Sequence, residues 1–184
     1  ASETVHEEGY GDGSFESGFN VGGGNFSAVR ISAGSSGEDI LRFKWFQFVD
    51  LGAFYIKMFE DDGGLPGEEF YSSLQAGFQV DGWNEKDLST EGLNVSGDFW
   101  VGAKEFSTSR PFGLDTSSDA GVSYQRAGST GDWTAVSGNL AYHVYLDCGD
   151  NCDDEGCTND AGDVNEDGTV NILDIVSLAN YILG

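Results

Sequence analysis

Positive charge is what this chain has least of: 8 Lys+Arg stand against 32 Asp+Glu in 184 residues, for a net charge of −24. Such a chain has no basic patch to displace the counterions of nucleic acid, so nucleic acid is excluded as a partner. Anionic membrane surfaces repel it for the same reason. Long apolar runs are missing too. None approaches the roughly 20 residues of a membrane helix, so no membrane insertion is expected. No basic segment followed by an apolar one opens the chain, and Ala1-Ser2-Glu3 reads as the start of a mature chain whose signal peptide has been removed. Histidine is limited to His6 and His143. His143 and Asp147 lie about 13 Å apart at a strand rise of about 3.3 Å per residue, too far for a catalytic pair. There is no G-x-S-x-G elbow and no H-E-x-x-H, and no histidine lies between or after the cysteines in sequence. The chain is therefore expected not to be an enzyme.

Glycine and aromatic residues are plentiful, with 28 Gly, 13 Phe, 7 Tyr and 4 Trp. The aromatics are enough to build a core. Residues 1–147 read as all-β, with short strand-like runs between Gly/Asp/Ser turn clusters. Leu140, Tyr142, Val144 and Leu146 alternate with Ala141, His143, Tyr145 and Asp147, the period of a half-buried strand. Ala53–Phe59 is apolar on both faces and is expected to be a central strand. Phe99, Val101 and Ala103 alternate with Trp100, Gly102 and Lys104. Leu41, Phe43 and Trp45 alternate with Arg42 and Lys44, whereas Phe46 and Phe48 shift the parity, which predicts a β-bulge near Trp45-Phe46. Turns are expected at Gly22-Gly23-Gly24, Asp61-Asp62-Gly63-Gly64 and Asp81-Gly82. Only two prolines are present and no long amphipathic helical pattern occurs in this region, so the expected fold is mostly β, an antiparallel sandwich or barrel. Trp45 and Trp100 sit in strands and are assigned to the core. Trp83 and Trp133 lie in turn-like contexts and are the better candidates for a glycan contact. Asn25-Phe-Ser27 and Asn94-Val-Ser96 are glycosylation sequons. Asp61-Asp62 and Asp115-Thr-Ser-Ser-Asp119 are read as turn formers in preference to a second calcium site.

Several of these runs together resemble a known module. They are Gly9-Tyr10-Gly11-Asp12-Gly13-Ser14, Phe26-Ser27-Ala28-Val29-Arg30, Glu60-Asp61-Asp62-Gly63-Gly64-Leu65-Pro66-Gly67, Val95-Ser96-Gly97-Asp98-Phe99-Trp100-Val101-Gly102 and Gly113-Leu114-Asp115-Thr116. Across residues 9–147 they resemble the jelly-roll-like accessory β-sandwich of large secreted proteins of marine and gliding bacteria. The resemblance implies a jelly-roll-like sandwich and no particular activity.

The character changes after residue 147. The last cation of the chain is Arg126, and 11 carboxylates follow it. Carboxylates at that density repel one another unless solvent, salt or a bound cation intervenes. Residues 148–161 read as an acidic linker holding all three cysteines, Cys148, Cys152 and Cys157. Their spacing and the lack of a histidine within the cluster do not fit zinc, and a disulfide within the cluster is expected, leaving one cysteine over.

Residues 162–184 form a third segment. Asp163, Asn165, Asp167, Asn171 and Asp174 place oxygen ligands at positions 1, 3, 5, 9 and 12 of a 12-residue loop, with Gly168 at position 6 for the sharp turn. Thr169 supplies its backbone carbonyl at position 7. Calcium takes 6–8 oxygens at about 2.3–2.6 Å, which this spacing wraps around one ion. Ile172, Leu173, Ile175, Val176, Leu178, Ala179, Ile182 and Leu183 follow on helical spacing, too short to stand alone, so the apolar stripe must dock on something. The loop with its Asp-Ile-Val-x-Leu-x-x-Tyr-Ile-Leu continuation resembles one half of a dockerin, the calcium module that plugs into cohesins. A dockerin carries two such repeats, and here one is found. The partner-contact stripe is Ile172, Ile175, Val176, Leu178 and Ile182.

Two functions follow as expectations. The first is a non-catalytic, calcium-binding structural or attachment protein of the cell surface, assembling with itself, as a homo-oligomer or filament, or with another extracellular protein through the C-terminal loop–helix. The second is a carbohydrate-binding or accessory module of a secreted hydrolase, docked through a cohesin-like receptor.

Overall fold

A computed structural model describes residues 4–48, 53–76, 79–106 and 112–149. The chain divides into two compact units, Ala1–Asn151 and Cys152–Gly184, and the second lies outside the described residues. The first unit is mostly β. Its strands are β1 (Val5–Glu8), β2 (Ser17–Phe19), β3 (Phe26–Gln47), β4 (Phe54–Asp61), β5 (Pro66–Gln75), β6 (Gly82–Asp87), β7 (Asn94–Glu105), β8 (Phe112–Asp115), β9 (Ser123–Arg126), β10 (Trp133–Ala135), β11 (Asn139–Leu140) and β12 (Tyr142–Asp147). The pairings among the described residues are antiparallel, along the path β1-β12-β3-β7-β4-β5.

The 22-residue β3 organises the rest. Its first part, Phe26–Ala33, pairs with β7 on one side and, over Phe26–Val29, with β9 on the other. Its later part pairs with β12 and β6. The register on β7 jumps between Ala33 and Glu38. Gly37 sits in that jump at φ 91°, a left-handed conformation that a side chain would strain.

Alternation along each strand sets the core. Val29 and Ile31 of β3, Ile56 and Met58 of β4, and Val101 and Ala103 of β7 join Phe43, Trp45, Tyr142, Val144 and Leu146 in one buried cluster. Edge-to-face aromatic contacts run through it, from Trp45 to Phe54 (5.2 Å), Phe54 to Phe112 (5.2 Å) and Phe112 to Tyr142 (5.2 Å). The opposite parity, Phe26, Ala28, Phe59 and Trp100, forms a second cluster against Tyr124 and Trp133. Both faces of β4 and β7 are thus covered. Gly102 is needed there: a Cβ at this position would stand 2.0 Å from the Ser27 carbonyl oxygen of β3.

The predicted strands at 53–59, 99–103 and 140–147 are present, the last interrupted at Ala141. The predicted bulge at Trp45-Phe46 is not. Trp45, Phe46 and Gln47 pair in unbroken register with Asn84, Trp83 and Gly82. The irregularity lies at Leu41, which is skipped between Ile40↔Leu146 and Arg42↔Tyr145. The parity holds across Trp45-Phe46, where Phe43, Trp45 and Gln47 point inward and Phe46 packs outside on Phe15 and Trp83; it shifts instead at Leu41, between buried Ile40 and buried Phe43. The apolar outer positions reflect a covered outer face.

Candidate functional site

The calcium ligands read from the sequence (Asp163, Asn165, Asp167, Thr169, Asn171 and Asp174) lie outside the described residues, as do the helical stripe Ile172, Ile175, Val176, Leu178 and Ile182, and Cys152 and Cys157. Cys148 lies within them. Its amide donates to the Thr4 carbonyl at 3.1 Å, continuing the β1–β12 ladder by one residue, and it is disulfide-bonded. The junction between the β unit and the acidic segment is therefore anchored at the sheet edge that also holds β1.

Within the described residues, carboxylates of Asp12, Glu16 and Asp115 come within 4.8 Å of one another. Local donors already occupy them. Asp115 Oδ1 accepts from the Ser117 amide (2.8 Å) and hydroxyl (2.7 Å), and its Oδ2 accepts from the Ser118 hydroxyl (2.8 Å). The Ser117 hydroxyl leads the interactions that hold the Asp115 carboxyl well below the usual carboxylate range. Asp12 accepts from the Ser14 amide and hydroxyl, and Glu16 from the Thr116 amide. Asp119 accepts from the Gly121 amide at 2.8 Å. The carboxylates of the Asp115–Asp119 segment accept hydrogen bonds from nearby amides and hydroxyls and so close their own loop.

A polar cluster that sequence reasoning missed gathers around Glu7. Glu7 Oε1 lies 2.6 Å from His143 Nδ1 and 3.0 Å from Lys44 Nζ. Lys44 Nζ stands 4.4 Å from the Trp83 ring centroid, and the Trp83 and His143 rings are 4.8 Å apart. His143 thus partners a carboxylate 136 residues away, and no spacing signal reveals such a pair. Burial opposes ionisation of Glu7, but hydrogen bonds from Tyr145, His143 and Lys44 outweigh it and hold its pKa at about 2. A carboxyl depressed from 4.5 to about 2 contributes stability that is present above 4.5 and is lost as the pH falls through 2. Glu7→Gln should therefore lose about 1–2 kcal/mol at pH 7, a figure discounted for partial exposure, and the gap to wild type should close towards pH 2. Urea unfolding at pH 7 and at acid pH checks this, and a pH-independent gap would contradict it.

The tryptophans divide differently from expectation. Trp45 and Trp100 are fully buried, as assigned. Trp83 and Trp133 lie in strands β6 and β10, and neither is an open platform. Trp83 packs on Phe15, Phe46 and His143. Trp133 packs on Phe26 and Phe59 beneath Arg126, whose guanidinium carbon is 4.7 Å from its ring centroid. The Asn25 sequon is turned inward: its amide nitrogen donates to the Val21 carbonyl and its oxygen accepts from the Gly128 amide. Asn94 is exposed and donates to Asp39.

Residues 161–184 match the dockerin type I domain family. No curated protein and no solved structure matches the chain. Dockerin type I domains bind calcium and dock to cohesins, extracellular protein partners. The match covers the segment in which the 12-residue oxygen spacing was found, so ligand chemistry and family agree on calcium as the ion. Residues 161–184 are thus similar to a dockerin type I domain, and the residues before them form a mostly antiparallel β unit.

Proposed function

We propose that this protein is a non-catalytic extracellular module that docks, in a calcium-dependent manner, onto a cohesin-type partner through residues 161–184. The dockerin match at those residues carries the reading. In it, Asp163, Asn165, Asp167, Asn171 and Asp174, with the Thr169 carbonyl, hold one calcium ion, and the stripe Ile172, Ile175, Val176, Leu178 and Ile182 meets the partner. The ordered loop positions the helix, so removing calcium removes the docking surface. The β unit is the cargo, a jelly-roll-like sandwich. Supporting this, β3 passes from the β7 and β9 ladders to those of β12 and β6, and side chains from both parts share one core cluster.

The stripe can also pair with a second copy of the chain, and one experiment separates the two assemblies. Size-exclusion of the intact chain, alone and mixed with a type I cohesin module, is run in calcium and in EGTA. A 1:1 complex in calcium that dissociates in EGTA is expected, and Ile175→Asp with Leu178→Asp should abolish it with circular dichroism unchanged. A calcium-dependent homo-oligomer that ignores cohesin would replace docking by self-assembly.

A further inference from the structure

One face of the sheet carries a row of side chains in register across six strands. Leu74 of β5 stands opposite Tyr55 of β4, and Tyr55 opposite Lys104 of β7. Lys104 stands opposite Phe26 of β3, Phe26 opposite Arg126 of β9, and Arg126 opposite Trp133 of β10. Residues directly opposite one another share a face of the sheet. Two cations therefore alternate with three aromatic rings, and docking through residues 161–184 uses none of them.

Positive charge is scarce in this chain, yet Arg30, Lys57, Lys104 and Arg126 all lie on this face. Two of them are matched: Lys57 with Glu69 at 2.8 Å and Arg30 with Asp98 at 4.0 Å. Among the described residues the Lys104 and Arg126 side chains make neither an ion pair nor a hydrogen bond, although the chain has 32 Asp+Glu. Both converge on one ring. Lys104 Nζ is 5.2 Å and the Arg126 guanidinium carbon 4.4 Å from the Phe26 centroid. Two like charges are thus held within about 10 Å of one another and repel. The carboxylate whose field reaches Arg126 is Glu69, and Lys57 already holds both its oxygens. Arg126 Nε and Trp133 Nε1 are also buried donors with no acceptor. Such donors are costly until an acceptor arrives. An anion would answer all three needs.

We propose that Lys104 and Arg126 bind the carboxylate of an acidic sugar, a uronic acid unit of a glycan. A guanidinium offers paired donors that match a carboxylate, and the ammonium adds a second charge on a longer, adjustable stem. The next positions along the row favour a sugar over a peptide carboxylate. Tyr55 is half-buried beside Lys104, and Phe106, 54% exposed, stands 5.9 Å from it. Aromatic surface beside a charged clamp suits a ligand whose anionic group is fixed to the edge of a ring with apolar C–H faces. At a net charge of −24 the chain repels dense polyanions, so the ligand brings one charge to the site. The site belongs to the β unit and does not rest on the docking reading.

The test titrates the intact chain with methyl glucuronoside at fixed calcium and low salt, following the Trp133 indole N–H by NMR. Methyl glucoside, acetate and N-acetylglutamate amide are the comparison ligands. The glucuronoside should shift the Trp133 signal and bind at least about tenfold more tightly than each of the other three. Arg126→Gln should weaken it at least about tenfold, and Lys104→Gln should weaken it too. Lys57→Gln removes a cation of the same face that Glu69 already holds, and should bind as wild type does. Should Arg126→Gln fail to fold, Lys104→Gln decides, because that half-buried side chain is held only over Phe26 among the described residues. No binding by wild type, or equal affinity in wild type and the folded variant, overturns the proposal. Methyl glucoside binding as tightly removes the charge clamp. Acetate or N-acetylglutamate amide binding as tightly removes the sugar and leaves a general carboxylate site.

Discussion

Asp163→Ala should weaken calcium binding at least about tenfold, roughly 1.4 kcal/mol. The residue supplies the first ligand of the 12-residue loop, and its loss removes both an oxygen and a negative charge from a site whose affinity depends on ligand charge. Calorimetry on calcium-depleted protein measures it. Calcium should also raise the melting temperature of the wild-type C-terminal unit, because an ion bound only by the folded state stabilises it by mass action. In Asp163→Ala that rise should shrink. Unchanged affinity in the variant would remove Asp163 from the ligand set.

Gly102→Val should be the most damaging single change in the β unit, costing about 3 kcal/mol or more. The effect follows from contact and not from lost area. A Cβ at Gly102 would lie 2.0 Å from the Ser27 carbonyl oxygen and 2.7 Å from the Ala28 Cα, both backbone atoms of the paired strand β3. Backbone within a ladder cannot step aside without breaking the register that also sets Val29, Ile31 and Val101 in the core. Urea denaturation should show a lower midpoint, and calcium binding by residues 163–174 should persist, since that segment belongs to the other compact unit. A midpoint equal to wild type would show that β3 and β7 do not approach as closely as described.

The parts legible in the sequence are those where one local rule suffices. The period of two over 142–147 places Tyr142, Val144 and Leu146 in the core because a single strand fixes its own alternation. The 12-residue loop is legible because an ion's coordination dictates spacing within a short segment, and the dockerin match falls on that segment. Legibility fails where two strands meet. Phe46 and Phe48 imply a bulge only if the outer face of β3 is wet. Phe15 and Trp83, from elsewhere in the chain, cover it. Trp83 and Trp133 look like turn residues, yet β6 and β10 take their geometry from β3 and β9. Glu7 with His143, and His6 with Glu38, are joined only by the order of β1, β12 and β3, which no local pattern encodes.

In the proposed function, docking of the chain through residues 161–184 onto a cohesin-type partner depends on bound calcium. Its most direct test is the dissociation constant of the intact chain on an immobilised type I cohesin, measured in calcium and again in EGTA. Binding in calcium that weakens at least about a hundredfold in EGTA, and returns on adding calcium back, is the predicted result. Equal binding in the two buffers, or none in calcium by a chain that calorimetry shows to be calcium-loaded, would contradict it.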